Sequence, residues 1–344
     1  MTSEPIVCTM PQDLLVSMQL ESIFTPKLRQ QREKAYNIVA GEDITDKHAK
    51  FVHYTTAEAA MEIITQKRLW LRQTSCMSDY SEVQHGFELL RNYFSNGNNI
   101  KGFSNIIDEC APGAVQEAID MFNKHFDSVR SSTYIASISE HDCEENDHGR
   151  LSMWRAFGGA TGRVAIVLKV PWYEKQLVDA VNQLQIRFSP VAYVPETDYE
   201  NEFKTIMTNV SSNLEFLCSV GKERIVLSIF NMLLMNTISF KHCGFREERE
   251  WRIMYLPLLW PSTLMETETK VINGVPQQIY KLPLDSSKDD NLSSLDISKL
   301  FDRLIIGPTE YPWPMFQAFS NLLTSIGIED AHQRVFCSRI PVRK

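Results

Sequence analysis

The sequence predicts an α+β fold, a mixed sheet core with helices, carrying a helical N-terminal extension and a helical insert. Three observations predict it. From about residue 50 onward, β-rich runs and helix-period segments are interspersed to the end of the chain. One run, RVAIVLKV at 163–170, is apolar almost throughout and bounded by Gly162 and Pro171, as in a strand covered on both faces. No internal repeat or low-complexity linker divides the chain. The expected organisation is a helical extension over 1–49 and one α+β domain over 50–344, with the insert at about 198–240.

In order along the chain, Leu14, Leu15, Met18, Leu20 and Ile23 give residues 11–40 an apolar helical face. The polar run 41–49 reads as a connector. KFVHYTT is a short strand, and Thr56 is placed to cap the helix TAEAAMEIITQKR, with Ala60, Ile63 and Ile64 on one face. LWLRQ is a second strand, and Met77–Glu82 a loop that opens the next helix. His85 to Arg130 is helical, broken at 95–99 (SNGNN) and at Pro112-Gly113. TYIASIS (133–139) is a strand, EHDCEENDHGR (140–150) a polar surface loop, and SMWRAFGG a short helix or turn. After 163–170 come a helix at 172–185, a strand at 186–194 broken at Pro190, and a long helical region at 198–236. A strand at Trp251–Leu256, a hairpin around Asn273-Gly274, a strand LIIGP, a helix near 314–324 and a last strand VFCSRIPV complete the chain.

The composition excludes several classes. Hydrophobic residues make up 43% and charged residues 23% of the 344, which is incompatible with a disordered chain and sufficient for a sizeable core. Lys+Arg 35 against Asp+Glu 43 leaves −8, which argues against a protein coated in positive charge for non-specific nucleic-acid binding. The first twenty residues lack a basic segment followed by an apolar one, and no stretch reaches the roughly 18 apolar residues of a membrane span. The seven cysteines are scattered with no C-x-x-C, so a cytosolic protein with reduced thiols and no membrane partner is expected.

No P-loop, no G-x-G-x-x-G after a strand, no H-E-x-x-H and no G-x-S-x-G occurs. The only glycine cluster, Gly158-Gly159-x-x-Gly162, reads as a turn before a strand, and the acidic and histidine residues at 141–148 as a solvated loop, so no metal is expected. Four pieces remain. His53-Tyr54-Thr55 ends the first strand. Ser137 and Ser139 fall two apart on a strand and share a face. Arg155, next to the glycine turn, suits an anion clamp, while Trp154 suits a core anchor. Glu248 and Glu250, two apart at the start of a strand, are expected to share a face, against the blander alternative of surface ion pairs.

In order, FVHYTT, LWLRQTSCMSDYSE, SISEHDCEEND…SMWRAFGGATG, FREEREWRI and LIIGP resemble a bacterial domain of unknown function catalogued as number twenty-nine seventy-one, over about residues 50–310. That resemblance implies no reaction. More distantly, the same pieces resemble the ADP-ribosyltransferase fold, which has an Arg or His on its first strand, a serine strand in its middle and a Glu, often E-x-E, on a later strand. His53, Ser137 with Ser139, and Glu248-x-Glu250 match those positions in order, although the central motif here is Ser-Ile-Ser.

This resemblance implies NAD as substrate. Glu250 would stabilise the charge that develops on the ribose, and Glu248 would orient the acceptor or take its proton. His53 would bond the adenosine-side ribose, with Tyr54 or Tyr80 as the stacking aromatic and Thr55 beside them. Ser137 would support the strand geometry and Glu250, Ser139 would join it among the cofactor-binding residues, and Arg155 would face the pyrophosphate. The implied activity is ADP-ribosyl transfer to a protein or nucleic acid, or NAD hydrolysis, in bacterial stress or phage defence. Two alternatives stay open: a nucleotide-sensing module without turnover, and a metal-dependent nuclease or hydrolase built on Glu248, Glu250, Asp79 and His53.

Overall fold

A computed structural model of the chain describes residues 12–42, 49–77, 80–156, 162–171, 174–195, 198–272, 274–287 and 289–341. It is mixed α+β. The helices are α1 (Gln12–Phe24), α2 (Pro26–Glu42), α3 (Ala57–Gln66), α4 (Tyr80–Ser95), α5 (Gly97–Asp108), α6 (Ala114–Ser131), α7 (Leu151–Ala156), α8 (Lys175–Leu184), α9 (Tyr199–Ser212), α10 (Leu214–Val220), α11 (Lys222–Ile238), α12 (Ile297–Leu300) and α13 (Pro312–Ser325). The strands are β1 (Ala49–Thr56), β2 (Arg68–Gln73), β3 (Tyr134–Glu140), β4 (Arg163–Val170), β5 (Ile186–Pro190), β6 (Ala192–Tyr193), β7 (Phe240–Lys241), β8 (Glu250–Tyr255), β9 (Glu266–Ile272), β10 (Val275–Pro283), β11 (Phe301–Ile306) and β12 (Val335–Cys337). Among the described residues, no helix is long and apolar enough to cross a membrane.

The chain divides into two compact units. The first comprises 1–32, 82–126 and 194–242, and the second 33–81, 127–193 and 243–344. In the first unit α1 packs on α9 and α11, and α5 packs on α9. Tyr93 stacks on Phe203 with ring centres 4.1 Å apart. Gly86 lets α4 approach the end of α11: a Cβ there would sit 2.8 Å from the carbonyl oxygens of Asn236 and Thr237.

The second unit holds a large sheet with strand order β12-β11-β4-β1-β3-β2-β10-β9. The mostly apolar β4 is interior, antiparallel to β1 along its whole length and to β11 on its other edge. The strand–helix–strand start forms as expected. Thr56 accepts a hydrogen bond from the Ala59 amide (3.1 Å) and so caps α3. The sheet forks at β3. One edge of β3 is occupied by β8 throughout, from Tyr134–Tyr255 to Ser139–Glu250. The other edge is shared: β2 pairs at Tyr134 and Ile135, and β1 at Ser139 and Glu140. At Ser137, between those ladders, neither strand is in register.

The two faces of the sheet differ. On one, Ile138, Ile166, Ile186 and Ile253 join Ile63 and Leu177 around an apolar core. On the other, Val52, Tyr54, Ala165, Val167 and Ile305 pack with Met153 and Trp154 of α7.

Candidate active site

Strand alternation places Ser137 and Ser139 of β3 on the same face as their cross-strand partners Arg252 and Glu250 of β8. The result is a square of four polar residues. The Ser137 hydroxyl donates to Glu250 Oε1 at 2.6 Å, and Arg252 Nε donates to the same oxygen at 2.9 Å. Arg252 Nη2 reaches Glu250 Oε2 at 3.3 Å. The acid and the guanidinium are only 4% and 1% exposed, so two opposite charges removed from water lie side by side. Ser139 is buried beside them. The Glu250 amide donates to the Tyr193 hydroxyl at 2.8 Å, which fixes where β8 begins.

Of the residues singled out in the sequence, Ser137, Ser139 and Glu250 therefore come together. His53 approaches from the fork: its Nδ1 lies 2.9 Å from the Ser137 carbonyl oxygen, which neither β1 nor β2 reaches. Its ring stands on the opposite face from Glu250, however, beside Ile138 and Ile166. Burial pushes its pKa below 6.5, against the raising effect of the bond to Ser137, so the ring is neutral at pH 7.

Tyr54 points to the other face. Its hydroxyl accepts from the Arg150 amide (2.8 Å), and its ring meets Trp154 edge to face at 4.8 Å. Burial pushes its phenol up to about 12, opposed by the Arg150 amide. Thr55 is half-buried in β1 opposite Val164. Trp154 is the expected core anchor, its Nε1 donating to the His148 carbonyl at 2.8 Å. Asp79, Gly158, Gly159 and Asn273 lie outside the described residues, as does the side chain of Tyr80.

One expectation needs correction. Glu248 and Glu250 do not share a strand face. Glu248 ends a 3-10 segment, Cys243–Glu248, and Arg249 then takes a left-handed conformation (φ 44°) before the strand starts at Glu250. The alternation that would align the two carboxylates is broken at Arg249.

A second feature lies next to the square. Arg150, Arg155, Arg246 and Arg249, with Glu247, Leu151 and Ser152, line an open cavity of about 570 Å³. Arg249 is paired with Asp142 and Glu145. Arg150 binds Glu145 (2.9 Å) and the carbonyls of Glu140, Glu247 and Glu248, tying the 140–150 loop to the start of β8. Arg155 and Arg246 are exposed, and among the described residues neither has an ion-pair partner. The sequence reading singled out only Arg155 of these four. The missed signal was the density of acids at 140–147, which read as solvated because its basic partner, Arg249, is about a hundred residues away. Among the described residues, no group of three or more His, Cys, Asp or Glu could hold a metal ion.

Comparison with known families falls on this region. Residues 153–253 match the family described as Protein of unknown function (DUF2971). The DUF2971 match runs from Met153 in α7 to Ile253 in β8, so it includes Arg155, Arg249, Glu250 and Arg252 but neither His53 nor the serine strand. No curated protein matches the chain, and no solved structure does.

Proposed function

We propose that the chain binds NAD and breaks its nicotinamide–ribose bond, passing ADP-ribose to water or to a protein or nucleic-acid acceptor. The observation that carries this reading is the 2.6 Å contact between the Ser137 hydroxyl and Glu250 Oε1, a serine strand holding a carboxylate on the neighbouring strand. In the proposed reaction, the C–N bond breaks and its electron pair leaves with nicotinamide. The acceptor oxygen or nitrogen bonds the anomeric carbon and gives its proton to solvent. Glu250 would accept a ribose hydroxyl and stabilise the positive charge on the sugar, with Ser137 and Arg252 fixing its orientation. Arg155 and Arg246 suit the pyrophosphate, because a guanidinium matches two phosphate oxygens. His53 would serve by holding the Ser137 carbonyl, not by touching the nucleotide.

One observation favours a second reading, in which a nucleotide binds without turnover. Glu250 is 4% exposed and already engaged by Arg252, whereas the arginine-lined cavity is open. Calorimetry with NAD and ADP-ribose, together with chromatographic detection of released nicotinamide, separates the two. Under the first reading, wild type releases nicotinamide and Glu250→Gln binds NAD but loses at least a hundredfold in release. Binding without release supports the second reading. Absence of both binding and release overturns both.

A further inference from the structure

Two cysteines of the first unit come together from distant parts of the chain. Cys110 lies in the turn that follows α5, where its amide and its thiol both donate to the Ile107 carbonyl, at 3.0 and 3.4 Å. Cys218 lies on α10, between the buried Leu217 and the turn at Gly221. The two turns face each other. Lys222, the first residue of α11, pairs with Glu117 of α6 at 3.0 Å, and a Cβ on Gly113 would come within 3.9 Å of Lys222 Nζ. Across this junction the Cys110 and Cys218 side chains are in hydrogen-bonding contact, and both thiols are free of disulfides. Sulfurs in such contact have a short way to go to the roughly 2 Å bond of a disulfide, by rotation about the two Cα–Cβ bonds.

The environments of the pair differ. Cys218 is exposed, whereas Cys110 is half-buried. Burial, followed by the neighbouring Cys218 thiol, pushes the Cys110 thiol up to about 11. Cys110 therefore stays protonated at pH 7, and Cys218 is the sulfur that a dissolved oxidant reaches.

We propose that Cys110 and Cys218 form a modification site, a dithiol that a hydroperoxide closes to a disulfide within one chain. The Cys218 sulfur attacks the peroxide, and the O–O bond breaks. The outer oxygen ends on sulfur as a sulfenic acid, and the rest leaves with the Cys218 proton as water or an alcohol. The Cys110 sulfur then attacks the Cys218 sulfur, the S–O bond breaks, and hydroxide leaves with the Cys110 proton as water. The two sulfurs together lose two electrons, and the peroxide gains them. The new bond adds a covalent tie between the segments 82–126 and 194–242. It lies within the first unit and does not rest on the NAD reading, whose carboxylate, Glu250, belongs to the second.

The test uses the full chain, reduced, freed of reductant and treated with hydrogen peroxide. Remaining thiols are alkylated, and the single-chain band of a non-reducing gel is digested with trypsin. Cleavage leaves each of the two cysteines alone in its peptide, 102–124 and 205–222. The expected product is these two peptides joined, lighter by two hydrogens than their sum, and separated again by dithiothreitol. Cys110→Ser should abolish the link and leave Cys218 as a sulfenic acid that dimedone labels. Cys218→Ser should abolish the link and slow the oxidation of Cys110 at least tenfold. The wild-type peptide map decides the matter even where a variant does not fold. Oxidation of Cys218 without a link to Cys110, a main product linking either to a third cysteine, a link found only between two chains, or two thiols left reduced by the peroxide would each overturn the assignment.

Discussion

Glu250 and Arg252 sit two residues apart on β8, both almost wholly buried, and each neutralises the other. Removing one partner deprives the other of the opposite charge beside it in the interior. Arg252→Met is therefore expected to destabilise the chain by about 3–5 kcal/mol, while the double variant Glu250→Leu/Arg252→Met recovers most of that loss. Urea unfolding measures both. Full additivity of the single changes would show that the pair is not a unit. His53 gives a pH signature. Its folded pKa lies below 6.5, so on acidification the unfolded chain takes up the proton first. Its contribution to stability is complete above about pH 6.5 and is lost as pH falls from there toward the folded pKa, with a slope of at most about 1.4 kcal/mol per pH unit. His141, also lowered mainly by burial, adds a parallel loss. His53→Asn keeps a donor for the Ser137 carbonyl and should flatten the decline between pH 7 and 5. An unchanged decline would place the acid sensitivity elsewhere.

Local signals read well wherever an element is specified by its own residues. Thr56 with the periodic Ala60, Ile63 and Ile64 marked α3 and its cap, and the flanking Gly162 and Pro171 marked β4. Thr56→Ala is expected to cost about 1 kcal/mol, read by thermal or urea unfolding, because the Ala59 amide loses its acceptor. Gly86 carries a prediction of unexpected sign. Glycine inside a helix is ordinarily improved by alanine, by about 1 kcal/mol. Here the added methyl group would press on two backbone carbonyls of α11 that cannot swing aside, so Gly86→Ala should destabilise by about 1–3 kcal/mol. A stabilised variant would mean that α4 can move away from α11. Where an element depends on a remote partner, the sequence is silent. The 140–150 loop looks solvated by composition, yet Arg150 and Arg249 bind its acids. The left-handed turn at Arg249 has no glycine or asparagine to announce it.

The whole chain crosses between its two units repeatedly, contributing three segments to each. An α+β class was legible because each strand and helix has its own periodicity. The partition was not, because the helical segment 82–126 and the stretch 194–242 are brought together with the N-terminal helix by packing alone, without a linker to mark a boundary. The contact of Ser137 with Glu250 was anticipated only through a distant fold resemblance, and which side of the sheet His53 occupies depends on where β1 leaves β3. The fully paired interior of the sheet should open last. Amides of Val164–Val167 in β4 are expected to exchange more slowly than those of β9, and hydrogen-exchange mass spectrometry reads the difference directly. Comparable rates would place the stable nucleus elsewhere.

The fork at Ser137 gives one residue two allegiances. Its carbonyl is tethered to the imidazole beneath the sheet, and its hydroxyl to the carboxylate above. A single residue thus joins the oxygen that the proposed chemistry needs fixed to the packing on the far side of the sheet.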